Sequence, residues 1–555
     1  QPSPTTTTTP TLLAKSRTFR EDYKIYGKVG IDVPGHGFEV WTRRDGGNAA
    51  GEANDDDDDN QNNKTSSSSN GPKTTLDSNQ VCLVLGAGNQ PFLSAVDILD
   101  CIFLRRRPVL FKHHPLRPFL EGPYRIWMEP LAQRGFFHQV LDTGIATTHK
   151  LLAHPQIGHV HLTGSLATDQ AIRKTLWQHK QQQQQQQQNQ AHPPVITSEA
   201  DIRKMVTSEL GAVTPCIVVP GTYTCTELIH AARLIAFCKK TNGGCNCLAV
   251  NAVVVPHEWE QKQSFRQCLV EELQRSPDTP AYYPGSRQRK RELAQPYYNR
   301  KDRARVVPST STTSSLHGSS NPEDAVVLLE CGNPGTDDYE NSALLQEAFG
   351  PVLALVELPG GDDDKNNDSN TTATAEDYIT KVVAPFVNDK KNISGSLSCV
   401  LIVPGNLKNT SQLDAMVASL DYGTVAVNCP SLVGYMSMTQ GGFWGSHVHD
   451  SSGQSGYGYI GNAYDLPNVE KTVCYGTPLS STPVFDGANP TPPIILDALH
   501  AATCSPSYFS STIRLCRVLS VRLVTKVLSP FCSERFINDM KSKHGKAMVP
   551  YIQHS

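Results

Sequence analysis

From Val81 onward, short and wholly apolar runs alternate with segments whose apolar residues recur every three or four positions. The first run, Val81–Leu85, ends in the turn Gly86–Asn89, and a predicted helix follows. A continuous apolar run is typical of a strand buried on both faces of a parallel sheet, and the longer spacing is typical of an amphipathic helix. This alternation excludes an all-helical or all-β chain and predicts an α/β fold with doubly wound parallel sheets.

The predicted elements fall into two series. In the first series, strands are predicted at 81–85, 108–112, 137–141 and 157–162, with helices at 117–133 and after Ser165. The apolar residues that recur at helical spacing after the first strand are Phe92, Ala95, Val96, Leu99 and Phe103. In the second series, strands are predicted at 217–219, 248–255, 325–330, 352–357, 398–403 and 424–428, and helices at 226–240, 260–275, 376–387 and 410–421.

Two α/β domains follow from these series, and they join near Glu209. The first domain is predicted at 78–208 and the second at 209–430, with a C-terminal return segment and tail at 431–555. Residues 1–77 are predicted to be a low-complexity segment with a short strand region. Each domain is long enough to bury a core of its own.

Eight consecutive glutamines, Gln181–Gln188, interrupt the first series. A polar homopolymer has no apolar surface to bury, so the insertion at 179–198 is predicted to be a surface loop. Farther along, 506–530 combine apolar residues at helical spacing with four basic residues. This segment is predicted to be an amphipathic helix that docks on the protein's own core or forms a family-specific tail, with contact to a membrane surface as the less favoured alternative.

Charge and cysteine content narrow the class of protein. The net charge of −3 excludes a basic nucleic-acid binder as the default interpretation. Fifteen cysteines in 555 residues are too sparse for a disulfide scaffold, and an odd number leaves at least one unpaired. We therefore expect an intracellular, cytoplasmic protein rather than a secreted one. No run of 18 apolar residues occurs, so no membrane-spanning helix is expected.

Two strand ends of the first domain carry groups that could face a ligand. The amide of Asn89 could donate a hydrogen bond into a cleft beyond the sheet, or it could cap the next helix. Thr163, Gly164 and Ser165 form a turn that enters a helix and offers N–H groups to a phosphate. Neither turn contains the G-x-G-x-x-G fingerprint of dinucleotide-binding folds, so each is a weak signal when taken alone.

Two reactive groups follow the first domain. Glu209, beside Gly211, could act as a general base, although an isolated glutamate is more often a surface residue. Cys247 lies on a glycine-rich turn before an apolar strand, where a thiolate would be accessible and its pKa could be lowered by nearby dipoles, although the residue could also be a plain buried cysteine. Cys245 and Cys247 could instead be half of a metal site. No second Cys/His pair lies at zinc-like spacing, and we predict no metal.

In their order along the chain, these motifs resemble those of the aldehyde dehydrogenase superfamily. The segments that carry the resemblance are Val84–Asn89, Phe111–Lys112, Thr163–Ser165, Glu209–Gly211 with Pro215, Gly244–Ala249, Glu347–Pro351 and Gly423–Asn428. The passage Ala281–Gly285 is similar to one in a divergent branch of that family. The sequence departs from the family's pattern at Ala212 and Val213, where Gly and Lys are usual, and at Cys245, where Gln or Glu is usual.

The resemblance implies NAD(P)-dependent oxidation of an aldehyde to a carboxylic acid, on a Rossmann-like cofactor domain joined to a catalytic α/β domain. Cys247 would be the nucleophile, Asn89 would hold the oxyanion, and Glu209 would activate the water that hydrolyses the thioester. The positions that match the family's cofactor contacts are Lys112, Thr163, Gly164, Ser165, Glu347 and Phe349. The family's ribose-binding acid falls on Pro115, so both NAD and NADP stay open as the cofactor.

The resemblance also implies a small aldehyde as the substrate and a homodimer or homotetramer as the assembly, with no nucleic acid as a partner. Two alternatives stay open. The departures at 212, 213 and 245 are compatible with a catalytically inactive relative that serves as a binding or assembly module. Alternatively, Cys245 and Cys247 would point the same way on one strand and could form a strained disulfide in a redox sensor.

Overall fold

The structure is a computed structural model. It describes residues 15–19, 23–29, 35–44, 80–141, 144–186, 199–300, 303–311, 318–360, 374–407, 410–445, 458–481, 483 and 485–488. The chain divides into two units, Gln1–Ala488 and Asn489–Ser555, and all described residues belong to the first. The predicted amphipathic segment 506–530 therefore lies outside the described residues.

Eighteen strands form in the described ranges. They are β1 (Lys15–Phe19), β2 (Tyr23–Val29), β3 (Gly37–Arg43), β4 (Val81–Leu85), β5 (Val109–Lys112), β6 (Phe137–Val140), β7 (Ile157–Gly164), β8 (Val206–Leu210), β9 (Thr214–Val218), β10 (Val250–Pro256), β11 (Ala304–Val307), β12 (Val326–Gly332), β13 (Val352–Leu358), β14 (Ser398–Ile402), β15 (Thr424–Val427), β16 (Trp444–Gly445), β17 (Tyr459–Ile460) and β18 (Val469–Tyr475).

Helices connect most of these strands. They are α1 (Leu93–Leu99), α2 (Glu121–Trp127), α3 (Glu129–Ala132), α4 (Ile145–Leu152), α5 (Leu166–Gln186), α6 (Glu199–Met205), α7 (Cys225–Lys240), α8 (Lys262–Arg275), α9 (Ser286–Tyr298), α10 (Ser342–Leu345), α11 (Ala375–Asp377), α12 (Ala384–Asn388), α13 (Thr410–Ser419) and α14 (Leu432–Met436). Short 3₁₀ turns form at Pro118–Leu120, Thr241–Gly244, Pro322–Asp324 and Ser437–Gln440, and π-helical turns at Asp100–Leu104 and Tyr378–Val383.

The first series of strands forms a five-stranded, fully parallel sheet in the order β6-β5-β4-β7-β8. The second series forms most of an eleven-stranded sheet in the order β1-β2-β3-β18-β15-β14-β9-β10-β13-β12-β11. Its seven central strands, from β18 to β12, are parallel. The predicted α/β class, with one parallel-sheet part and a second α/β part, is confirmed.

The N-terminal strands belong to the large sheet. Strands β2 and β3 pair antiparallel, and β3 pairs antiparallel with β18 near the other end of the described chain. The sequence predicted only a short strand region here, with no partner assigned. Side chains of this pair, such as Phe38, Val40 and Trp41, are buried, so these strands contribute directly to the core of the large sheet.

Alternate residues of the strands feed cores on opposite faces of each sheet. On β4, Leu83 and Leu85 pack in one cluster, whereas Cys82 and Val84 pack in another. This is the burial on both faces that a continuous apolar run predicts, because successive side chains of a strand point to opposite sides. Within the described ranges, no helix combines the length and apolarity needed to cross a bilayer.

Two predicted elements differ from the structure. The insertion at 179–198 was predicted to be a loop, but α5 continues to Gln186, and 187–198 lie outside the described residues. Glutamine has a favourable helix propensity, and extending an existing helix costs far less than starting one. The predicted helix at 117–133 is interrupted at Met128, because Pro130 lacks the N–H that would continue the helical hydrogen bonds.

The buried face of α1 also differs from the one that the apolar spacing indicates. Phe92 and Phe103 are 45% and 60% exposed, and the buried residues include Ser94 and Asp97. These polar groups are buried because each has a partner: Ser94 Oγ accepts from the N–H of Ala87 at 3.1 Å, and a threonine hydroxyl donates to Asp97. Satisfied hydrogen bonds offset the cost of burying them.

Candidate functional site

A cavity of about 490 Å³ lies where strands β4, β7 and β8 end. Carboxyl ends of parallel strands are the usual place for ligands in open α/β sheets. Eight of the nine predicted site residues line the cavity: Asn89, Thr163, Gly164, Ser165, Glu209, Cys247, Glu347 and Phe349. The ninth, Lys112, ends β5 and is buried, and it is absent from the lining among the described residues.

Cys247 is carried by a tight turn between α7 and β10. Gly243 and Gly244 have left-handed backbone conformations, with φ of 64° and 71°. An added Cβ would lie 2.2 Å from the carbonyl oxygen of Pro280 at the first glycine and 2.4 Å from that of Gly350 at the second. The glycines therefore let the turn pack directly on two other backbones, and this packing holds the partly buried Cys247 at the cavity wall.

Cys245 and Cys247 do not share a strand, because β10 begins only at Val250. The Sγ of Cys245 lies 3.7 Å from the hydroxyl of Ser286 and 3.5 Å from the carbonyl oxygen of Phe349. Cys247 instead faces the cavity, and both thiols are free. The premise that the two cysteines point the same way on one strand is wrong, because a turn carries both of them.

Asn89 is tied to the cysteine turn by its side chain and its backbone. Its Nδ2 donates to the carbonyl of Cys245 at 3.3 Å. Its own carbonyl accepts from Nη2 of Arg117 at 2.8 Å and from the hydroxyl of Tyr282 at 2.5 Å. The side chain is 7% exposed. These contacts fix the carboxamide on the same cavity wall as Cys247.

Glu209 is the penultimate residue of β8, opposite Thr163 of β7. It is buried, and its Oε2 finds no hydrogen-bond partner among the described residues. Burial raises the pKa of Glu209 well above its ordinary value, and the charges of Asp97 and Asp100 raise it further while Arg105 opposes them. A general base is most effective when its pKa lies near the working pH, and an upward shift moves a carboxyl group in that direction.

Asp97 is a cavity residue that the sequence analysis missed. It is 1% exposed and lines the cavity from α1. Its Oδ2 accepts from Oγ1 of Thr163 at 2.9 Å, and its Oδ1 lies 3.5 Å from Nε2 of the buried His161. A charged residue within an otherwise amphipathic helix was the signal that could have drawn attention to it. The other cavity residues missed include Tyr283, Arg289, Tyr435 and Trp444.

Glu347 faces the cavity from the loop before β13. Its carboxylate packs on the backbone of Gly211, where an added Cβ would lie 1.7 Å from Oε2. Its Oε1 is buried and has no hydrogen-bond partner in the described part of the chain. Burial raises the pKa of Glu347 to about 8, against the opposing charges of Lys239 and Arg289. Burial in turn lowers the pKa of Lys239 to about 7.

The thiol of Cys247 does not have the lowered pKa that the sequence indicated. Burial raises its pKa above the ordinary value, and the negative charges of Glu347 and Glu209 raise it further. Each of these carboxyl groups, when it is ionised, disfavours the anion of the thiol, because like charges repel. The expectation of a thiolate stabilised by dipoles is therefore wrong for the protein by itself, and Cys247 carries a neutral thiol near pH 7.

The donor set of the cavity fits a dinucleotide. Ser165 caps α5, since its Oγ accepts from the N–H of Thr168 at 3.2 Å. Other first-turn N–H groups of a helix lack helical partners and commonly bind phosphate, and Leu166 and Ala167 line the cavity there. The unpartnered Oε1 of Glu347 supplies an acceptor for a hydroxyl group. The cavity thus offers a phosphate site and a hydroxyl site.

A second, smaller cavity of about 170 Å³ meets the first at Asn89, Leu93, Cys247 and Tyr435. Most of its wall is apolar, and the apolar residues are Phe92, Leu93, Phe237, Cys238, Leu248, Pro430, Leu432 and Tyr435. Cys247 thus borders two chemically different spaces, one with polar groups on several sides and one with an apolar wall.

No protein-family model matches the chain, and no curated protein does. Solved structures do. One is lactaldehyde dehydrogenase from Escherichia coli, at 18% identity over 82% of this chain and 75% of that chain, with a TM-score of 0.48. Another is NADP-dependent glyceraldehyde-3-phosphate dehydrogenase from Bacillus halodurans C-125, complexed with NADP, at 18% identity, 71% and 69% coverage, and a TM-score of 0.46. A third is succinic semialdehyde dehydrogenase from Streptococcus pyogenes with NADP+, at 16% identity, 71% and 73% coverage, and a TM-score of 0.47.

Proposed function

We propose that this chain is an NAD(P)-dependent aldehyde dehydrogenase that forms a carboxylic acid. The observation that carries the proposal is the meeting, in one cavity, of the thiol of Cys247, the carboxamide of Asn89 and the carboxylate of Glu209. They come from three separate elements, and each matches its position in the family's motifs. Nucleophile, oxyanion donor and general base are the groups that acyl chemistry on a cysteine needs.

Cys247 would attack the aldehyde carbonyl to form a thiohemiacetal, with Glu209 on the same cavity as the base that receives the thiol proton. Because burial and two carboxylates raise the pKa of Cys247, this base is essential to the step. The amide of Asn89 and the backbone N–H of Cys247 would stabilise the oxyanion. One such donor contributes roughly 2.7–4 kcal/mol to lowering a barrier.

NAD or NADP, when bound, accepts the hydride. The first turn of α5 would hold a phosphate of the cofactor, and Glu347 would orient a ribose through its hydroxyls. Phe349 lines the cavity beside Glu347 and has an unusual φ of 44°. Its carbonyl oxygen accepts a hydrogen bond from Oγ of Ser286 at 2.7 Å, which holds the loop at this point. This fixed loop would keep the carboxylate of Glu347 in place.

Glu209 would then activate a water molecule for attack on the thioester, taking one proton while the carbon–sulfur bond breaks. In the overall reaction, an aldehyde and water become a carboxylate. A hydride reduces the nucleotide, and two protons leave. The presence of a glutamate at this position favours water over a thiol as the acyl acceptor.

The test is turnover with a panel of aldehydes and either NAD or NADP, followed by the absorbance of the reduced nucleotide. Cys247→Ser should abolish turnover, and the exposed Cys225→Ser is the matched control that should leave it unchanged. Glu209→Gln should abolish both the burst and the steady rate of nucleotide reduction, because Glu209 takes the thiol proton in the first step and activates the water in the last. Absence of nucleotide reduction by the folded wild-type protein would overturn the proposal.

An inactive binding module is the second candidate, favoured by the raised pKa of Cys247 and by Ala212 and Val213, which are buried where the family has Gly and Lys. Alkylation by iodoacetamide in the presence and absence of nucleotide separates the two candidates. If iodoacetamide labels Cys247 selectively and bound nucleotide changes the rate of labelling, the enzyme is supported. Nucleotide binding together with an unreactive Cys247 supports the module.

A further inference from the structure

We infer that the substrate is an uncharged, apolar aldehyde of about six or seven carbons, bound in the smaller cavity beside Cys247. The inference rests on the proposed function, because it assumes that Cys247 attacks an aldehyde. It goes further by naming which class of aldehyde the cavity accepts. The argument uses the position, charge and volume of that cavity.

The position follows from the residues that the two cavities share. Asn89 and Cys247 line both of them, so a carbonyl group held between this amide and this thiol borders both spaces. The larger space has the helix N-terminus and the carboxylate that fit a nucleotide. The group attached to the carbonyl is therefore left with the smaller space, whose wall is mostly apolar.

The charge of the smaller cavity excludes anionic substrates. No lining residue among those described is acidic, basic or histidine. The amides of Gln90 and Asn246 are already engaged, since Gln90 Nε2 donates to Oδ1 of Asn246 at 3.0 Å and Asn246 Nδ2 donates to a backbone carbonyl at 3.0 Å. The hydroxyl of Tyr435 is buried without a hydrogen-bond partner in the described chain, but it is neutral. A carboxylate or phosphate would lose its water there and find no cation.

The volume of about 170 Å³ sets the size of the substrate. An apolar cavity of roughly 150 Å³ lined by Leu, Ile and Phe holds one benzene ring. One aromatic ring, or an alkyl chain of about six carbons, therefore fills the space. Phe92 lies at the rim and is 45% exposed, so longer chains would extend past it toward solvent and gain little further burial.

The experiment compares kcat/KM for acetaldehyde, butanal, hexanal, decanal and benzaldehyde with that for succinic semialdehyde and glyceraldehyde 3-phosphate. Each buried methylene should raise kcat/KM roughly fourfold up to hexanal, with little gain beyond it. Hexanal and benzaldehyde should exceed both anionic aldehydes by about 100-fold or more. Equal or faster turnover of an anionic aldehyde would overturn the inference.

Two variants should change the substrate preference, one in the length of the aldehyde and the other in its charge. Phe237→Ala removes part of the apolar wall and so enlarges the cavity, which should raise the ratio of kcat/KM for decanal over that for hexanal. Leu432→Arg supplies a cation and should raise the ratio for succinic semialdehyde over hexanal by about tenfold or more. Phe136→Ala is the matched control, because Phe136 is 45% exposed and lines neither cavity among those described, so it should change neither ratio.

A second measurement separates failure of the inference from failure of the proposed function. It asks, beside turnover, which aldehydes protect Cys247 from alkylation by iodoacetamide. Turnover of anionic aldehydes without turnover of hexanal keeps the enzyme and rejects the apolar class. No turnover of any aldehyde, with protection by hexanal but not by succinic semialdehyde, keeps the apolar cavity and rejects the enzyme. Neither turnover nor selective protection rejects both.

Discussion

Replacing Gly211 with alanine tests whether the backbone of this residue makes room for the carboxylate of Glu347. The alanine Cβ would lie 1.7 Å from Oε2, where ordinary contact begins at 3.4 Å, so the carboxylate must move by about 1.7 Å. The backbone itself tolerates alanine, since Gly211 is not among the glycines with positive φ. The substitution therefore displaces one functional group without straining the turn.

The expected loss is that of the hydrogen bond between Glu347 and the ribose of the nucleotide. Burial raises the pKa of Glu347 to about 8, so at pH 9 the group is mostly a carboxylate. A hydrogen bond to a charged group contributes roughly 1.5–3 kcal/mol, which corresponds to a 10- to 150-fold weaker Kd. Isothermal titration calorimetry of NAD and NADP at pH 9 measures this loss.

Glu347→Gln and the double variant show whether Gly211→Ala acts through the carboxylate. If it does, the double variant should bind nucleotide about as weakly as the weaker single variant, because both changes remove the same interaction. Gly122→Ala is the control, since an added Cβ there meets nothing within 4 Å. A Kd for Gly211→Ala within threefold of wild type, or losses that simply add, would refute the reasoning.

Three further outcomes are expected. Asn89→Ala should lower kcat by roughly 100- to 1,000-fold through loss of an oxyanion donor, while the nucleotide Kd measured by calorimetry changes little. Asp97→Asn should move the acidic limb of the kcat–pH profile to lower pH. The charge of Asp97 raises the pKa of Glu209, and the base works only when deprotonated, so an upward shift would contradict the assignment. Gly244→Ala should lower the free energy of unfolding by about 2 kcal/mol or more, because the φ of Gly244 is +71° and the Cβ would lie 2.4 Å from the carbonyl oxygen of Gly350. Urea unfolding measures this loss, and an unchanged midpoint would show that the turn relaxes.

The sequence predicted those parts of the fold whose burial is visible in the local pattern of apolar residues. Val81–Leu85 is wholly apolar because both faces of a central parallel strand are covered, and no neighbour needs to be known to see it. Helix α9, Ser286–Tyr298, was missed because its sequence is rich in charge and contains Pro296. Its buried residues include Leu293 and Tyr297, and the core that covers them comes from distant strands.

The site divides in the same way. The order of the motifs along the chain predicted eight residues that line one cavity, but also Lys112, which does not line it among the described residues, and the chemical roles of all nine stay predictions. The protonation of Cys247 was not predictable, because it depends on carboxylates at 209 and 347, far away in the sequence. The burial of Asp97 was hidden for a related reason. Its partners, Thr163 and His161, lie on a strand more than 60 positions away, and only the fold brings them together.

Two glycines connect the local sequence signal with the tertiary structure of the site. In the sequence, Gly243 and Gly244 indicate only a turn, yet each is required by a different distant segment, one at Pro280 and one at Gly350. A side chain at either position would push that segment away, and the close contact that brings the turn of Cys247 beside the loop of Glu347 depends on the missing Cβ atom of Gly244. A local signal of backbone freedom is therefore also a record of tertiary contact, although only the structure identifies the segments that make it.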